Sequence, residues 1–339
     1  MNFLIQLYCY FRAKLLADGM IFKIRVLGLS ILLGLPAYLS GQTPEVSREQ
    51  VDALVDLALD MGQAWQQGDL PDLAFTPEEL QVLSGQLEAA LSSTQLDDLA
   101  DLEAMIPRLM VALAQTESGR HYVAWLLQRY DYAVVASWSN QEAEVAVEEA
   151  AVKPTPQQVE KFRDDYVTDL RVWRHRIAER RAPQPAPGLV PMVKKEFAEE
   201  GVPTELIWLA EVESSFDPEA LSPVGAKGLF QFMPATAEWM GLELKPEDQR
   251  VDASKSADAA ARYLRYLYGR FESWPLVFAA YNAGEGRVRR LLREQSASDF
   301  NGIAGVLPSE TRMYVPKVLA TIELREGVNP AQIAAPTER

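Results

Sequence analysis

A glutamate stands where an apolar helical segment meets a loop rich in proline and glycine. Residues 211–234 read EVESSFDPEALSPVGAKGLFQFMP, and Glu213 lies near the start of this stretch. At about 100° per residue, Glu213 shares a helical face with Leu209 and Ala210, whereas Glu211 points away and is expected to be solvated. Burial and the negative end of the helix dipole both disfavour a carboxylate. The pattern therefore predicts a raised pKa that suits a general acid, and a rim position with the carboxyl head in water is the alternative.

Further polar and aromatic side chains follow beside glycines, where a loop or a helix end could direct them into a cleft. They are Gln231 and Met233 in GLFQFMP, Tyr281 and Asn282 in AAYNAGEG, and Tyr314 in ETRMY. Each one has an ordinary structural explanation: Gln231 as a polar residue among apolar neighbours, for example, and Asn282 as a cap of a helix terminus. Only their combination and order indicate a site.

The scarcity of cysteine and histidine excludes several kinds of chemistry. The chain has one cysteine, Cys9, and two histidines, His121 and His175, which are far apart in the sequence. A thiolate metal site, zinc ligation and a Ser–His–Asp triad are therefore poor explanations. No Asp-rich loop has the spacing of calcium ligands, so we expect neither a metal nor a cofactor. Carboxylates, amides and hydroxyls must carry any catalysis.

The negative charge is concentrated in the first half of the chain. Residues 42–150 hold 20 Asp plus Glu against 4 Lys plus Arg, or −16, while the whole chain carries −15, so the remainder sums to about +1. A nucleic-acid partner is excluded because phosphate binding needs a basic surface. The acidic helices are interpreted as a solvated face in preference to a surface that repels a like-charged partner.

The N-terminus has the features of an export signal. MIFKIR, from Met20, is a short basic segment, and Val26–Leu39 is an apolar stretch of signal-peptide length that is short for a membrane span. Ser40 and Gly41 suit cleavage before residue 42. We therefore predict a signal peptide over residues 1–41, with Met20 as an alternative start. An uncleaved anchor that associates with the membrane is the other interpretation.

Helical periodicity dominates the rest of the chain, so the predicted fold class is all-α. Leu80, Leu83, Leu87 and Leu91 recur at helical spacing, and no stretch alternates as a strand would. The predicted organisation comprises the following segments: an acidic helical region at 42–140, a linker plus helix at 141–187, a compact catalytic domain at 188–330 and a tail at 331–339. A Pro- and Gly-rich stretch, APQPAPG, separates the linker from the domain.

The ordered motifs ES, GAKGLFQFMP, AAYNAG and ETRMY resemble the lytic transglycosylase family, which cuts bacterial cell-wall glycan with a goose-lysozyme-like fold. The resemblance covers Gly188–Glu326. It implies a lysozyme-like helical catalytic domain in which Glu213 is the catalytic acid/base. It also implies that the following residues line or support the glycan cleft: Ser214, Gln231, Met233, Tyr281, Asn282 and Tyr314. The sequence departs from the family pattern in showing neither LysM-type repeats nor a lipobox cysteine.

The same resemblance implies cleavage between MurNAc and GlcNAc with closure of a 1,6-anhydro ring. The implied partner is the glycan strand of peptidoglycan; an envelope protein that binds the acidic N-terminal region is a further candidate partner, which the resemblance does not imply. The implied location is the periplasm or cell envelope of a bacterium. A hydrolase of goose-lysozyme type is an alternative, with Asp217 as the second carboxylate, although an Asp before Pro more often orders a turn. A wall-binding scaffold without catalysis is the other alternative.

Overall fold

The computed structural model describes residues 77–114, 117–148, 166–178, 180–222 and 224–337. These residues fall within one compact unit, Leu73–Arg339. Throughout the described ranges the regular structure is helical, and the extended pairing there is limited to isolated bridges between Leu221 and Lys227 and between Lys227 and Phe232. The all-α class is therefore confirmed. The predicted export signal, the start of the acidic region and residues 149–165 of the predicted linker lie outside the described residues.

The helices that precede the linker pack around a long helix. Their bounds are α1 Pro77–Ser92, α2 Leu96–Ala100, α3 Met105–Ala114 and α4 Glu117–Glu148. Helices α2 and α3 lie against α4 and bury apolar side chains such as Leu99, Ile106 and Leu109. Helix α4 continues to Glu148, into the segment predicted as a linker or loose helix.

The remaining helices form the region that carries the motifs. Their bounds are α5 Tyr166–Ile177, α6 Ala186–Glu199, α7 Leu209–Ser214, α8 Pro234–Trp239, α9 Ala253–Phe271, α10 Trp274–Ala283, α11 Glu285–Glu294, α12 Asn301–Ala304 and α13 Ser309–Glu326. A 3₁₀ turn at Thr204–Trp208 leads into α7, so the apolar helical segment predicted before Glu213 is part 3₁₀ turn and part α-helix. No helix of the described ranges is long and apolar enough to span a membrane.

Helix α13 is the centre of the packing. It contacts α5, α10, α7 and α4, and its side chains are buried from Thr311 to Ile322. A helix buried on all sides needs partners for its charged groups. The Arg312 guanidinium pairs with Asp169 of α5 at 3.1 Å, and both side chains are almost fully buried. The Lys317 ammonium lies 3.9 Å from the Asp131 carboxylate of α4. The pair of Lys317 with Asp131 joins the preceding helices to the motif-bearing region.

The prediction that Glu211 is solvated is wrong. Its carboxylate accepts two hydrogen bonds from the Arg325 guanidinium, at 2.6 and 2.8 Å, and both side chains are about nine-tenths buried. Arg325 belongs to the last turn of α13, 114 residues further along the chain. The helical wheel of α7 describes only which residues share a face. It contains no information on the second helix that covers the polar face.

Candidate active site

Glu213 is the penultimate residue of α7, on its apolar side. Leu209, Ala210 and Val212 of the same short helix are buried, and the Glu213 side chain is largely buried with part of it exposed. One carboxylate oxygen accepts a hydrogen bond from the Tyr314 hydroxyl of α13. The predicted position at the apolar end of a helix is therefore what the structure shows.

The chain leaves α7 through two residues in the left-handed region. Ser215 has φ 53° and Phe216 has φ 59°, a backbone conformation that residues other than glycine rarely adopt. The amide of Ser215 donates to the Glu211 carbonyl and that of Phe216 to the Ala210 carbonyl, which satisfies the last turn of the helix. The Phe216 side chain is fully buried edge-on against Trp208 at 5.5 Å. Packing thus holds a strained turn beside Glu213, as is common at functional sites.

The surroundings of Glu213 favour its protonated form. Burial raises the pKa of the Glu213 carboxyl from 4.5 to about 7, against the hydrogen bond from Tyr314 and the positive charge of Arg129, which lower it. Burial also raises the pKa of the Tyr314 hydroxyl well above 10, so this group remains a hydrogen-bond donor at neutral pH. The pair can therefore present a proton near neutral pH and stabilise the carboxylate after the proton has left.

Ser214 and Gln231 shape the loop that faces Glu213. The buried Ser214 hydroxyl lies 2.8 Å from the Leu229 carbonyl, which ties α7 to the far end of the loop. The Gln231 amide nitrogen donates to the carbonyls of Ala220 and Gly228, at 3.1 and 2.9 Å, and its backbone is left-handed with φ 48°. The Gln231 amide N–H groups are thus used within the loop, and its carbonyl oxygen is the group suited to accept from a ligand.

A buried arginine and a glycine hold the same loop in place. Arg250 donates to the carbonyls of Gly225 and Phe232, at 2.8 and 2.9 Å, and forms an ion pair with Asp248 at 2.8 Å. Gly228 has φ 83°, and a Cβ placed there would lie 1.9 Å from the Arg250 carbonyl oxygen. Glycine is therefore required at residue 228, both for its backbone angle and for this close approach.

Three further residues were predicted to line or support the cleft: Tyr281, Asn282 and Met233. The Tyr281 hydroxyl donates to the Phe230 carbonyl at 2.8 Å, and burial together with the Glu213 charge raises its pKa well above 10. The exposed Asn282 accepts a hydrogen bond from the Thr311 hydroxyl at 2.7 Å, which joins α10 to α13. Met233 is 43% exposed, which is unusual for a large apolar side chain.

Helix α4 contributes groups that the sequence analysis did not identify. The Arg129 guanidinium donates to the Glu310 carboxylate at 2.5 Å, with side chains 16% and 24% exposed, and it stacks over the Trp125 ring at 4.4 Å. The Gln128 amide nitrogen lies 3.5 Å from the backbone oxygen of Glu213. Arg129 and Glu310 act in opposite directions on the pKa of Glu213. One available signal was that Arg129 is one of only four basic residues in an acidic region.

Two further observations concern Asp217 as a second catalytic carboxylate and the possibility of a metal site. The Asp217 carboxylate accepts a hydrogen bond from the Glu219 amide at 2.9 Å, the contact of an ordered turn. This contact agrees with the structural role favoured for Asp217. Within the part of the chain that the structure describes, no three His, Cys, Asp or Glu side chains converge as metal ligands would.

Comparison with known families identifies the class to which this site belongs. Residues 191–303 match the family described as the transglycosylase SLT domain. Residues 191–303 therefore carry an SLT domain, in agreement with the resemblance stated from the motifs.

Individual relatives share this part of the chain. Membrane-bound lytic murein transglycosylase D of Escherichia coli K12 is 37% identical over 142 residues, which are 40% of this chain and 31% of that protein. The soluble lytic murein transglycosylase of Salmonella typhimurium LT2 is 40% identical over 121 residues, 33% of this chain and 19% of that protein. The match thus spans less than a third of the length of each of these two relatives.

A solved structure was also matched. The 70 kDa soluble lytic transglycosylase of Escherichia coli gives a TM-score of 0.38 at 20% identity, covering 87% of this chain and 66% of that one.

The contact between Arg129 and Glu310 gives a prediction with two opposite signs. Arg129→Met removes a charge that lowers the pKa of Glu213, so the pH above which activity declines should rise. Glu310→Gln removes a charge that raises the pKa of Glu213, so the pH above which activity declines should fall. The measurement is the pH–rate profile of the glycan cleavage that is proposed for this chain below. The exposed Arg171, paired with Glu142 on α4, supplies the control Arg171→Met, which should leave the profile unchanged. Shifts of the same sign in both test variants would contradict the assignment.

Proposed function

We propose that this protein is a lytic transglycosylase that cleaves the bond between MurNAc and GlcNAc in peptidoglycan and leaves 1,6-anhydro-MurNAc ends. The observation that carries the proposal is the Glu213 carboxyl, held by Tyr314 in a largely buried position where its pKa is raised to about 7, within an SLT domain. A general acid works best when its pKa lies near the operating pH.

In the first step Glu213 acts as the acid. Its proton passes to the glycosidic oxygen, the C1–O bond of MurNAc breaks, and the GlcNAc part leaves with the new hydroxyl. The positive charge that develops at C1 needs stabilisation, and the N-acetyl group of the same MurNAc supplies it from within the substrate. Glu213 is then a carboxylate, which the Tyr314 hydroxyl stabilises by its hydrogen bond.

In the second step Glu213 acts as the base. It takes the proton of the MurNAc C6 hydroxyl while that oxygen attacks C1, so the anhydro ring closes and the acid is regenerated. No water is consumed. A single carboxyl group serves both steps, which fits the use of Asp217 in a turn. Hydrolysis by paired carboxylates would instead need a second carboxylate, which acts as a base and activates a water molecule.

The other predicted residues take supporting and binding roles in this proposal. Ser214 secures the loop through Leu229, and Gln231 keeps its carbonyl oxygen for a hydroxyl or amide of the sugar. Met233 and Asn282, both exposed, contact the glycan, while Tyr281 supports the loop through the Phe230 carbonyl.

The proposed organisation places catalysis in residues 188–330, before a tail at 331–339. It also gives the acidic helical region 42–140 a role in setting the pKa of Glu213, because Arg129 of α4 pairs with Glu310 and both charges act on Glu213. The proposed substrate is the glycan strand of peptidoglycan, and the proposed location is the bacterial cell envelope, in the periplasm. This location rests on the signal-like segment over residues 1–41.

The test is mass spectrometry of sacculi digested by the full chain. Muropeptides lighter by one water than hydrolysis products are the expected result. Products that end in a reducing sugar would contradict the proposal in favour of a hydrolase. Retention on sacculi without any cleavage would contradict it in favour of a wall-binding scaffold.

The pH dependence should reveal the contact between Tyr314 and Glu213. Because Glu213 must be protonated to act as the acid, cleavage should decline as the pH rises through about 7. Tyr314→Phe removes a hydrogen bond that lowers this pKa, so the declining limb should move to higher pH, with a maximal rate within about ten-fold of the parent. Tyr268→Phe is the control, since that ring packs on Trp274 at 4.5 Å. An unshifted limb in Tyr314→Phe would contradict the proposed coupling.

A further inference from the structure

A tryptophan on α8 is exposed although it has aromatic neighbours. Trp239 is 56% exposed, while its ring contacts Tyr266 at 4.8 Å and Tyr263 at 5.9 Å between centroids. A large apolar side chain that only completes a core would be buried. This one is supported from below by two rings of α9 and remains open to solvent above them.

The geometry of the three rings leaves an aromatic surface free. Tyr263 and Tyr266 are nearly parallel, with 11° between their planes, and Trp239 stands at 83° and 88° to them. These are edge-to-face contacts, in which the edge of one ring meets the face of another. They fix the indole without covering it face to face, so a broad indole surface remains available.

The same rings connect to the candidate active site. Tyr263 lies 5.3 Å from Tyr281, between ring centroids, and both rings contact Phe232, at 6.3 and 6.4 Å. The pKa of Tyr281 is raised by burial and by the charge of Glu213. An unbroken series of ring contacts thus runs from the neighbourhood of Glu213 to the exposed indole.

Polar groups border the aromatic surface. The Tyr266 hydroxyl donates to the Glu285 carboxylate at 2.7 Å, and the Arg270 guanidinium lies 5.2 Å from the Tyr266 ring centroid. Arg270 and its ion-pair partner Glu285 lie 3.7 Å apart, with the arginine side chain half exposed. A carboxylate and a guanidinium beside an open aromatic ring provide both acceptors and donors for hydroxyl and amide groups.

We propose that Trp239, supported by Tyr263 and Tyr266, binds an N-acetylhexosamine ring of the glycan strand at a position beyond the bond that is cleaved. The proposal rests on the proposed function and adds a binding position to it. The C–H groups on one side of a pyranose ring carry slight positive charge and meet the negative face of the indole, while the sugar hydroxyls reach the polar border. This combination of an apolar face with a polar edge is that of a sugar.

A protein partner fits this surface less well. Stable protein interfaces bury about 800 Å² on each side around an apolar centre. Glu238 and Gly241, on either side in the sequence, are exposed and carry no apolar side chain, and the intervening Met240 is buried. One indole with a charged border matches the size of one or two sugar rings.

The test is binding of the β-1,4-linked GlcNAc hexamer to the full chain, measured by tryptophan fluorescence and by calorimetry. Trp239→Ala should weaken binding by roughly three- to ten-fold, the range expected for one aromatic contact. Trp239→Phe keeps an aromatic face and should retain most of the affinity. Val167→Ala, at a residue that is 54% exposed on α5, is the control and should bind as the parent does. Because Trp239 is exposed, thermal unfolding of the variants should stay close to that of the parent.

The outcomes separate this proposal from the proposed function. On sacculi, Trp239→Ala should raise the apparent KM and leave the rate at saturation unchanged. Equal hexamer affinity in Trp239→Ala and in the parent would overturn the binding position, even with anhydro products still formed. Weaker binding by Trp239→Ala, with near-parental binding by Trp239→Phe and Val167→Ala, would support the binding position. This holds even if the parent released reducing ends or cleaved nothing. Equal losses in Trp239→Phe and Trp239→Ala would also overturn it, since an aromatic face would then not be what binds.

Discussion

Glu213→Gln should abolish glycan cleavage, with a loss of at least 10²–10⁴-fold, the contribution typical of a positioned general acid and base. Glutamine has the shape of glutamic acid and can still accept the hydrogen bond from Tyr314, but it has no proton to give and cannot take one from the C6 hydroxyl. The measurement is the initial rate of release of anhydro-muropeptides from sacculi. A variant with near-parental activity would remove Glu213 from the mechanism.

The control for this variant is its thermal stability as a function of pH. Because folding raises the pKa of Glu213 from 4.5 to about 7, the stability linked to its protonated form is complete below about pH 4.5. That stability is lost as the pH rises through about 7. Glutamine remains neutral, so the variant should match the parent near pH 4.5 and be at least as stable at pH 8. A lower unfolding temperature at both pH values would show that the lost activity reflects damage to the fold.

Asp131→Ala should produce the largest loss of stability among the substitutions considered. The Asp131 carboxylate of α4 contacts Arg180 at 2.6 Å, Arg176 at 3.2 Å and Lys317 at 3.9 Å, and its side chain is only 8% exposed. Burial alone would raise its pKa, but the charges and hydrogen bonds of these cations hold the pKa of Asp131 well below its usual range. Removing the carboxylate leaves three neighbouring positive charges without the carboxylate that they share, and burial already lowers the pKa of Lys317 to about 8.

The expected loss in the free energy of unfolding is about 3 kcal/mol, near the lower end for a broken buried pair because the two arginines are partly exposed. Urea denaturation at pH 7 measures it. Glu142→Ala is the matched control: the same helix carries this acid, which also pairs with an arginine, but the side chains are 41% and 65% exposed. An exposed pair contributes about 0–1 kcal/mol. A loss below about 1 kcal/mol for Asp131→Ala would show that the ion pairs of Asp131 contribute little to joining α4 to α13.

Local patterns predicted much of the helical structure correctly. The helix predicted from the spacing of Leu80, Leu83, Leu87 and Leu91 is α1, Pro77–Ser92. Periodicity predicts such segments because each helix must turn one face towards a core, whatever that core contains. Periodicity did not show that the apolar segment before Glu213 begins as a 3₁₀ turn, because the two helical forms have similar side-chain patterns over one turn.

Sequence alone determined the all-α class, the place of Glu213 at the apolar end of a helix and the set of motifs that indicated an SLT domain. These features depend on neighbours within about one or two helical turns. Only the tertiary structure decided what surrounds the carboxyl group, because the groups that act on it come from distant segments. Arg129 and Glu310 are 181 residues apart, and Tyr314 lies 101 residues from Glu213. The proton affinity of Glu213 is a property of these converging charges and of burial, and neither is encoded in the spacing of residues along one helix.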